Sequence, residues 1–274
     1  MIMGADISII IVNYNTGDLL LNCLRSICAN VKINYEVVVA DNASSDGSFD
    51  KCIAEFSQDS RYLFFSTGAN LGFAKANNMA ADRATGRIFH FLNPDTEVPA
   101  GMDTDYGKVM DSPDAVYINP LVNGDGSLEN AGMPFPTVKN MFLWYFNRKK
   151  AGLWFRGASL IVSRDNFEKA GRWCEDYFMY AEDLDFFYNI HLNSVPVKYL
   201  QCRIFHLGGG SSSKRWTGSE REAAVEASNR IFYAKHFTHR EYILIKVYFL
   251  FHYIFRHPSR VLPYVKAWIS VSRD

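Results

Sequence analysis

Ile7-Ser8-Ile9-Ile10-Ile11-Val12 is a β-branched run that stops at Asn13-Tyr14-Asn15, and Glu36-Val37-Val38-Val39-Ala40 is a second that stops at Asp41-Asn42. Unbroken runs of this kind form strands buried on both faces, as parallel strands covered by helices are. Their polar ends then share one sheet edge, the edge at which open α/β sheets bind ligands. Between the runs, Leu19, Leu20, Cys23, Leu24 and Ile27 fall on one helical face. The alternation continues with a helix near 46–57, a strand over 62–65, a helix opening at Gly72 and a strand over 88–92. Such βα repetition predicts an α/β fold with a mostly parallel, right-handed crossover sheet flanked by helices. Asn123-Gly124-Asp125-Gly126 marks a hairpin turn. A strand over 157–162, a helix over 182–192 and a strand over 197–205 complete a second half.

Composition narrows the function. A chain of 274 residues, 48% apolar and 15% aromatic, can fill one sizeable core. Its formal net charge of zero argues against a nucleic-acid binder working through a broadly basic surface. Five cysteines without a CxxC pair read as reduced thiols rather than a zinc site or disulfide framework. The first apolar run lacks a basic leader and a small-residue cleavage site, so the expectation is a cytoplasmic protein. After the first strand the chain reads Asn13-Tyr14-Asn15-Thr16-Gly17-Asp18, which is neither G-x-G-x-x-G nor a P-loop. Dinucleotide-binding and P-loop folds are thereby excluded.

Four motifs carry the chemistry. Asn93-Pro94-Asp95-Thr96 follows the strand over 88–92, where a carboxylate can hold a divalent cation against a diphosphate, although the same residues also make a plain turn. Asn70-Leu71-Gly72-Phe73-Ala74 runs on to Asn77-Asn78, reading as a helix that turns two amides and Lys75 toward the same edge. Phe178-Met179-Tyr180-Ala181-Glu182-Asp183-Leu184-Asp185 packs three carboxylates into four positions, and His206 precedes Gly208-Gly209-Gly210-Ser211-Ser212-Ser213.

In this order and spacing the motifs resemble the family 2 glycosyltransferases of the GT-A fold, especially the bacterial rhamnosyltransferase-like branch, over roughly residues 7 to 213. The resemblance implies a GT-A domain over 1–234, with a nucleotide-binding half of about 1–120 and an acceptor half of about 121–234. It implies an inverting transfer from a nucleoside-diphosphate sugar, dTDP-rhamnose or a UDP-hexose, to a glycan or lipid-linked glycan of a bacterial surface polysaccharide. Val12, Asn13, Tyr14 and Asp41 would meet the nucleoside, Asn70 and Gly72 the nucleotide, and Lys75 a phosphate. Asp95 would be the metal-binding acid and His206 would complete the shell of a Mg²⁺ or Mn²⁺ ion. Asn93 stands where other members carry a first acid. Asp183 would be the base, with Glu182 orienting acceptor or base and Asp185 supporting the fold.

Plainer readings stand beside these: an Asx-turn for Asp41, a solvated Lys75, helix capping for Glu182-Asp183, and core packing for Trp154, Phe155 and Trp173 instead of sugar stacking. The stretch from Gly208 to Arg215, with Ser211 and Lys214, is a flexible linker or a lid over the diphosphate. Two other functions stand beside this one: a degenerate protein that binds a nucleotide sugar without turnover, motivated by Asn93 in place of an acid, and a nucleotidyltransferase, which shares the sheet and metal logic but usually carries a Gly-rich, basic loop after the first strand that this chain lacks.

Residues 235–274 carry Lys235, Arg240, Lys246, Arg256, Arg260, Lys266 and Arg273 against Glu241 and Asp274, so this tail is about +5 and the remainder about −5. Its apolar run from Tyr242 to Phe255 is shorter than the roughly 20 residues that span a bilayer. The expectation is a helical extension that contacts the inner face of the cell membrane peripherally, pairs two subunits, or packs on the body.

Overall fold

The computed structural model describes residues 4–129, 132–145, 152–207 and 218–271. The expected alternation is present: β1 (Ile7–Asn13), α1 (Leu19–Asn30), β2 (Tyr35–Asp41), α2 (Ser48–Phe56), β3 (Tyr62–Ser66), α3 (Phe73–Arg83) and β4 (Ile88–Leu92). After it come β5 (Thr96–Glu97), α4 (Met102–Asp111), β6 (Val116–Ile118), β7 (Leu121–Val122), β8 (Met133–Pro134), α5 (Val138–Tyr145), β9 (Leu153–Trp154), β10 (Ser159–Ser163) and α6 (Arg164–Lys169). The described chain closes with α7 (Glu182–Leu192), β11 (Val197–Tyr199), β12 (Ile204–His206), α8 (Gly218–His236), α9 (His239–Arg256) and α10 (Val261–Val271).

The main sheet has the order β11-β6-β10-β4-β1-β2-β3. Period-two alternation along its strands sorts the side chains into two apolar layers. Ile10, Val38, Phe89, Phe91 and Leu160 face one side, where α3, α6, α7 and α8 cover them through Ala74, Phe167, Phe186 and Phe232. Ile9, Val37, Val39, Ile88 and Ile161 face the other, against Leu24 of α1, Cys52 of α2 and Tyr106 of α4. Burial on both faces is why β1 and β2 are almost wholly apolar. Each such side chain is worth about 1.5–3 kcal/mol on leaving water.

The sheet is parallel at β1–β2, β1–β4, β2–β3 and β6–β11, but β10 runs antiparallel between β4 and β6. The pairing Ser159↔Leu92 sets the entry to β10 against the exit of β4, so Gly157-Ala158 lie beside Asn93, whose N–H donates to the Ala158 carbonyl at 2.9 Å. The strand expected over 197–205 is two strands in different sheets. β11 joins the main sheet, while β12 joins β5 and β7 in a smaller one. The break is fixed by buried Asp105, whose carboxylate accepts the N–H groups of Gln201 at 3.0 Å and Cys202 at 2.7 Å. The turn at 123–126 closes as expected, with the Gly126 N–H donating to the Asn123 carbonyl. All five cysteines are free thiols.

The basic tail is helical, and α9 and α10 pack on α8 and α5. Two of its cations are used internally: Lys235 lies 2.9 Å from Asp185, and buried Lys246 pairs with buried Glu226 of α8. Desolvation holds the Lys246 ammonium below the usual lysine range, against the attraction of Glu226.

Candidate active site

A cavity of about 990 Å³ opens at the C-terminal ends of β1, β2 and β4. Val12 and Tyr14 line it from β1 and its loop, Asn70 and Gly72 from the approach to α3, and Asn93 and Asp95 from the end of β4. Glu182 and Asp183 line it from the start of α7, and His206 from the end of β12. The fold therefore gathers into one cavity residues spread over most of the chain.

Strand pairing sets the Asp95–His206 contact. Because β12 pairs with β5 in the register His206↔Thr96, the histidine arrives beside Asp95, with Nε2 at 3.4 Å from Oδ1. Both side chains are buried. Glu129, which the sequence reading did not single out, lies with Oε1 at 2.7 Å from Nδ1 of His206. Its other oxygen is 3.3 Å from Arg156 Nη1. Burial pulls the imidazole pKa down, but hydrogen bonds and attraction from Asp95 and Glu129 outweigh it and raise the value above the ordinary one. One carboxylate and one imidazole converging at a cavity wall fit a divalent cation that takes its remaining oxygens from a ligand. Among the described residues no three His, Cys, Asp or Glu side chains form a metal-binding group. Glu129 sits on the far ring nitrogen, where it can orient His206 but cannot share an ion with Nε2.

The carboxylate pair at α7 stands on a strained turn. Tyr180 and Ala181 both adopt left-handed φ, 71° and 64°, immediately before the helix. Each such non-glycine residue costs about 1–2 kcal/mol, an outlay found where the surrounding structure forces a functional geometry. Ser228 of α8 braces the turn by donating to the Met179 carbonyl at 2.8 Å. Asp183 accepts the N–H of Leu184 at 2.8 Å. Desolvation lifts the Asp183 carboxyl above the usual range, although the N–H groups of Leu184 and Gly157 partly offset it. Desolvation, then the Asp183 charge, raises Glu182 as well. Glu182 Oε2 is buried without a hydrogen-bond partner. Asp185 has the structural role expected. It is wholly buried and accepts from His236 at 2.6 Å, Lys235 at 2.9 Å, Asn189 at 3.2 Å and Tyr177 at 3.3 Å, tying α8 to α7.

Other expected residues lie elsewhere. Asn13 and Asp41 do not line the cavity: Asn13 Nδ2 is 2.9 Å from Asp41 Oδ1 and 3.0 Å from Ser48 Oγ, and the Ser44 N–H donates to Asp41 at 3.0 Å. They brace the loops after β1 and β2 from behind, as the Asx-turn reading of Asp41 has it. Lys75 is exposed on α3 outside the cavity lining. Asn77 and Asn78 point away from the ligand edge. Asn78 donates to the Trp173 carbonyl at 2.8 Å and to Glu175 at 2.9 Å, and Asn77 to the Phe73 carbonyl at 3.0 Å. Trp173 and Phe155 are core residues, while Trp154 lines the cavity. Ser211 and Lys214, with the rest of the Gly/Ser stretch, lie outside the described residues.

Gly72 has a local reason. At φ 84° a Cβ there would lie 2.2 Å from the Phe178 carbonyl oxygen, to which the Phe73 N–H donates at 3.1 Å. Only glycine lets α3 start against the segment that leads to Glu182. Sequence reasoning also missed Asn42, which fixes this start by accepting the Leu71 N–H and donating to the Gly72 carbonyl, both at 3.0 Å. Arg156 and Arg221 add two cations to the lining. No motif marks either, since each arrives through packing of a distant segment.

Comparison with known proteins agrees with this architecture. The sequence profile described as Glycosyl transferase family 2 matches residues 8–164. The chain is 25% identical over 210 residues to N-acetylglucosaminyl-diphospho-decaprenol L-rhamnosyltransferase of Mycobacterium tuberculosis, covering 65% of this chain and 67% of that protein. It is 28% identical over 166 residues to glycosyltransferase GlyG of Streptococcus pneumoniae, covering 58% and 55%, so it spans little more than half the length of that relative. It is 26% identical over 211 residues to the low-salt glycan biosynthesis hexosyltransferase Agl10 of Haloferax volcanii, covering 73% and 65%. Among solved structures, GalNAc-T7 with UDP, GalNAc and Mn²⁺ superposes with a TM-score of 0.62 at 16% identity, covering 83% of this chain and 48% of that one. S. aureus TarS 1-349 in complex with UDP-GlcNAc superposes at 0.57 and 17% identity, covering 89% and 66%. These likenesses establish the GT-A fold.

Proposed function

The chain belongs to glycosyl transferase family 2, and on that premise we propose that it moves a hexosyl group, with inversion, from a nucleoside-diphosphate sugar to a hydroxyl of a glycan or lipid-linked glycan. The observation that carries the reading is that one cavity holds both a carboxylate–imidazole pair, Asp95 and His206, and a buried carboxylate pair, Glu182 and Asp183. Val12, Tyr14, Asn70, Gly72 and Asn93 offer the nucleotide a wall of backbone and amide groups. dTDP-rhamnose and UDP-hexoses are the donors proposed. The matched rhamnosyltransferase, by its name, acts on a diphospho-decaprenol-linked sugar, which favours a lipid-linked acceptor and a reaction at the cytoplasmic face of a membrane.

In the reaction the acceptor oxygen forms a bond to the anomeric carbon, the bond from that carbon to the diphosphate breaks with its electron pair leaving on the phosphate, and the hydroxyl proton passes to Asp183. A raised carboxyl pKa suits Asp183 to that task, because a stronger base takes the proton more readily. Glu182, held neutral by burial, can donate a hydrogen bond to a sugar oxygen. Arg156 and Arg221 are placed to meet phosphate charge. Asp95 and His206 would hold a Mg²⁺ or Mn²⁺ ion, which when bound neutralises charge on the departing diphosphate.

The test is a thermal-shift screen with UDP- and dTDP-sugars, with and without Mn²⁺, followed by acceptor-dependent release of nucleoside diphosphate. Stabilisation without any turnover on lipid-linked acceptors would favour the binding-only reading, which the loss of an acid at Asn93 motivates.

A further inference from the structure

The helix α9 has two faces. Tyr242, Ile245, Lys246 and Phe249 point inward: Ile245 is wholly buried, Lys246 meets Glu226, and Phe249 lines the active-site cavity. At 100° per residue, Leu244, Val247, Phe251, Ile254 and Phe255 fall together on the opposite side. These five large apolar side chains are between 37% and 77% exposed. Continuous exposed apolar ridges of this kind mark contact surfaces rather than ordinary solvent-facing helix.

Charge identifies the partner. Arg240, one turn before Leu244, falls on the same side of the helix as Phe251 and heads the ridge, and Arg260 follows just past its far end; both are exposed, as are Arg256 on the last turn and Lys266 on α10. From 239 to 271 the only acid is Glu241, and it is engaged in the capping box with Thr238 that starts α9. A second copy of this chain is a poor occupant, because a two-fold contact would set the same cationic patch against itself. An anionic bilayer complements both features at once, taking the ridge into its acyl boundary and the guanidinium groups at its phosphates. No helix among the described residues is long and apolar enough to cross a membrane.

We propose that the outward face of α9 is a docking surface for an anionic lipid bilayer, with Phe251 and Phe255 as its inserted side chains and Arg240 and Arg260 as its headgroup contacts. Docked by this face, the enzyme lies with the helix that lines its cavity resting on the membrane. A lipid-linked acceptor then has to travel along the surface and not through bulk water.

Sedimentation with vesicles tests this, using the intact protein without any nucleotide sugar, so that failure leaves the transfer reading untouched. Vesicles of equal parts phosphatidylcholine and phosphatidylglycerol should carry the protein down at low salt, pure phosphatidylcholine should not, and about 1 M salt should release it. Replacing both Phe251 and Phe255 by Asp should weaken binding at least about tenfold without lowering the thermal midpoint, since both side chains are exposed. Replacing Arg240 and Arg260 by Gln, which leaves the ridge intact, should weaken it about 25-fold at low salt, at roughly fivefold per cation. No binding of the intact protein at low salt, or undiminished binding of both variants, overturns the proposal. So does a concentration-dependent dimer that the Phe251/Phe255 variant abolishes, because the ridge would then belong to a second copy.

Discussion

Glu129 Oε1 sits 2.7 Å from Nδ1 of His206, and that contact leaves the opposite nitrogen, Nε2, turned toward Asp95 at 3.4 Å. A carboxylate behind an imidazole fixes which nitrogen is free to act and how the ring is aimed. The three residues thus form a single oriented chain from one cavity wall.

Glu129→Ala should weaken cation binding about 10- to 100-fold while leaving cation-free nucleotide binding near normal. Calorimetric titration of UDP with and without Mn²⁺ measures both. Equal enhancement by Mn²⁺ in the variant and the parent would remove Glu129 from this role.

Asp183→Asn should reduce transfer by at least about a hundredfold, the usual minimum for loss of a general base, with donor affinity nearly unchanged. Steady-state turnover beside calorimetry separates the two. Near-normal turnover would mean that Asp183 serves the helix start and that Glu182 is the next residue to test.

The same carboxyls predict an unusual pH dependence. Because folding raises both pKa values, the native state holds more protons than the unfolded chain between the ordinary carboxylate value near 4 and about pH 8. Their contribution to stability therefore falls as pH rises through this window. Glu182→Gln removes the buried charge and should gain more than about 1 kcal/mol over the parent at pH 8, while the difference shrinks toward pH 4. Urea unfolding across that range measures the slope; parallel stability curves would contradict the raised Glu182 pKa. Transfer should rise with pH over the lower part of the same window, as Asp183 loses its proton.

Asp185→Ala strands His236 and Lys235, which reach it at 2.6 and 2.9 Å. Removing one partner of a buried ion pair costs about 3–5 kcal/mol, and the partial exposure of Lys235 places this site toward the low end. Chemical denaturation reads the loss. In the parent, burial raises the Asp185 pKa, but His236 and Lys235 more than offset this and lower it, so its contribution is present above the ordinary carboxylate value and lost as pH falls below it.

The β-branched runs announced β1 and β2, and the Asn-Pro-Asp turn announced where β4 would deliver Asp95, because these depend on local pattern and on the rule that parallel strands end at the ligand edge. The antiparallel course of β10 was not legible, since a strand's direction is settled by its partners and leaves no trace in its own alternation. Glu129 and Arg221 were missed for a related reason: neither has a local motif, and both arrive by docking of segments far along the chain. Asn13, Asn78 and Asp41 read as polar groups at the ligand edge, and in the folded chain their side chains also hydrogen-bond neighbouring loops, a use that no local pattern announces.

The antiparallel insertion of β10 has a consequence for how the chain is made. Until residue 163 has been synthesised, β4 has β1 on one side and bare backbone on the other, a ready template for pairing with another chain. A nascent chain emerging from the ribosome therefore carries Phe89 and Phe91 on an open edge while some seventy further residues are translated. Interrupted or shortened products ending before β10 should aggregate, whereas those extending past Ser163 have their own strand to cap that edge.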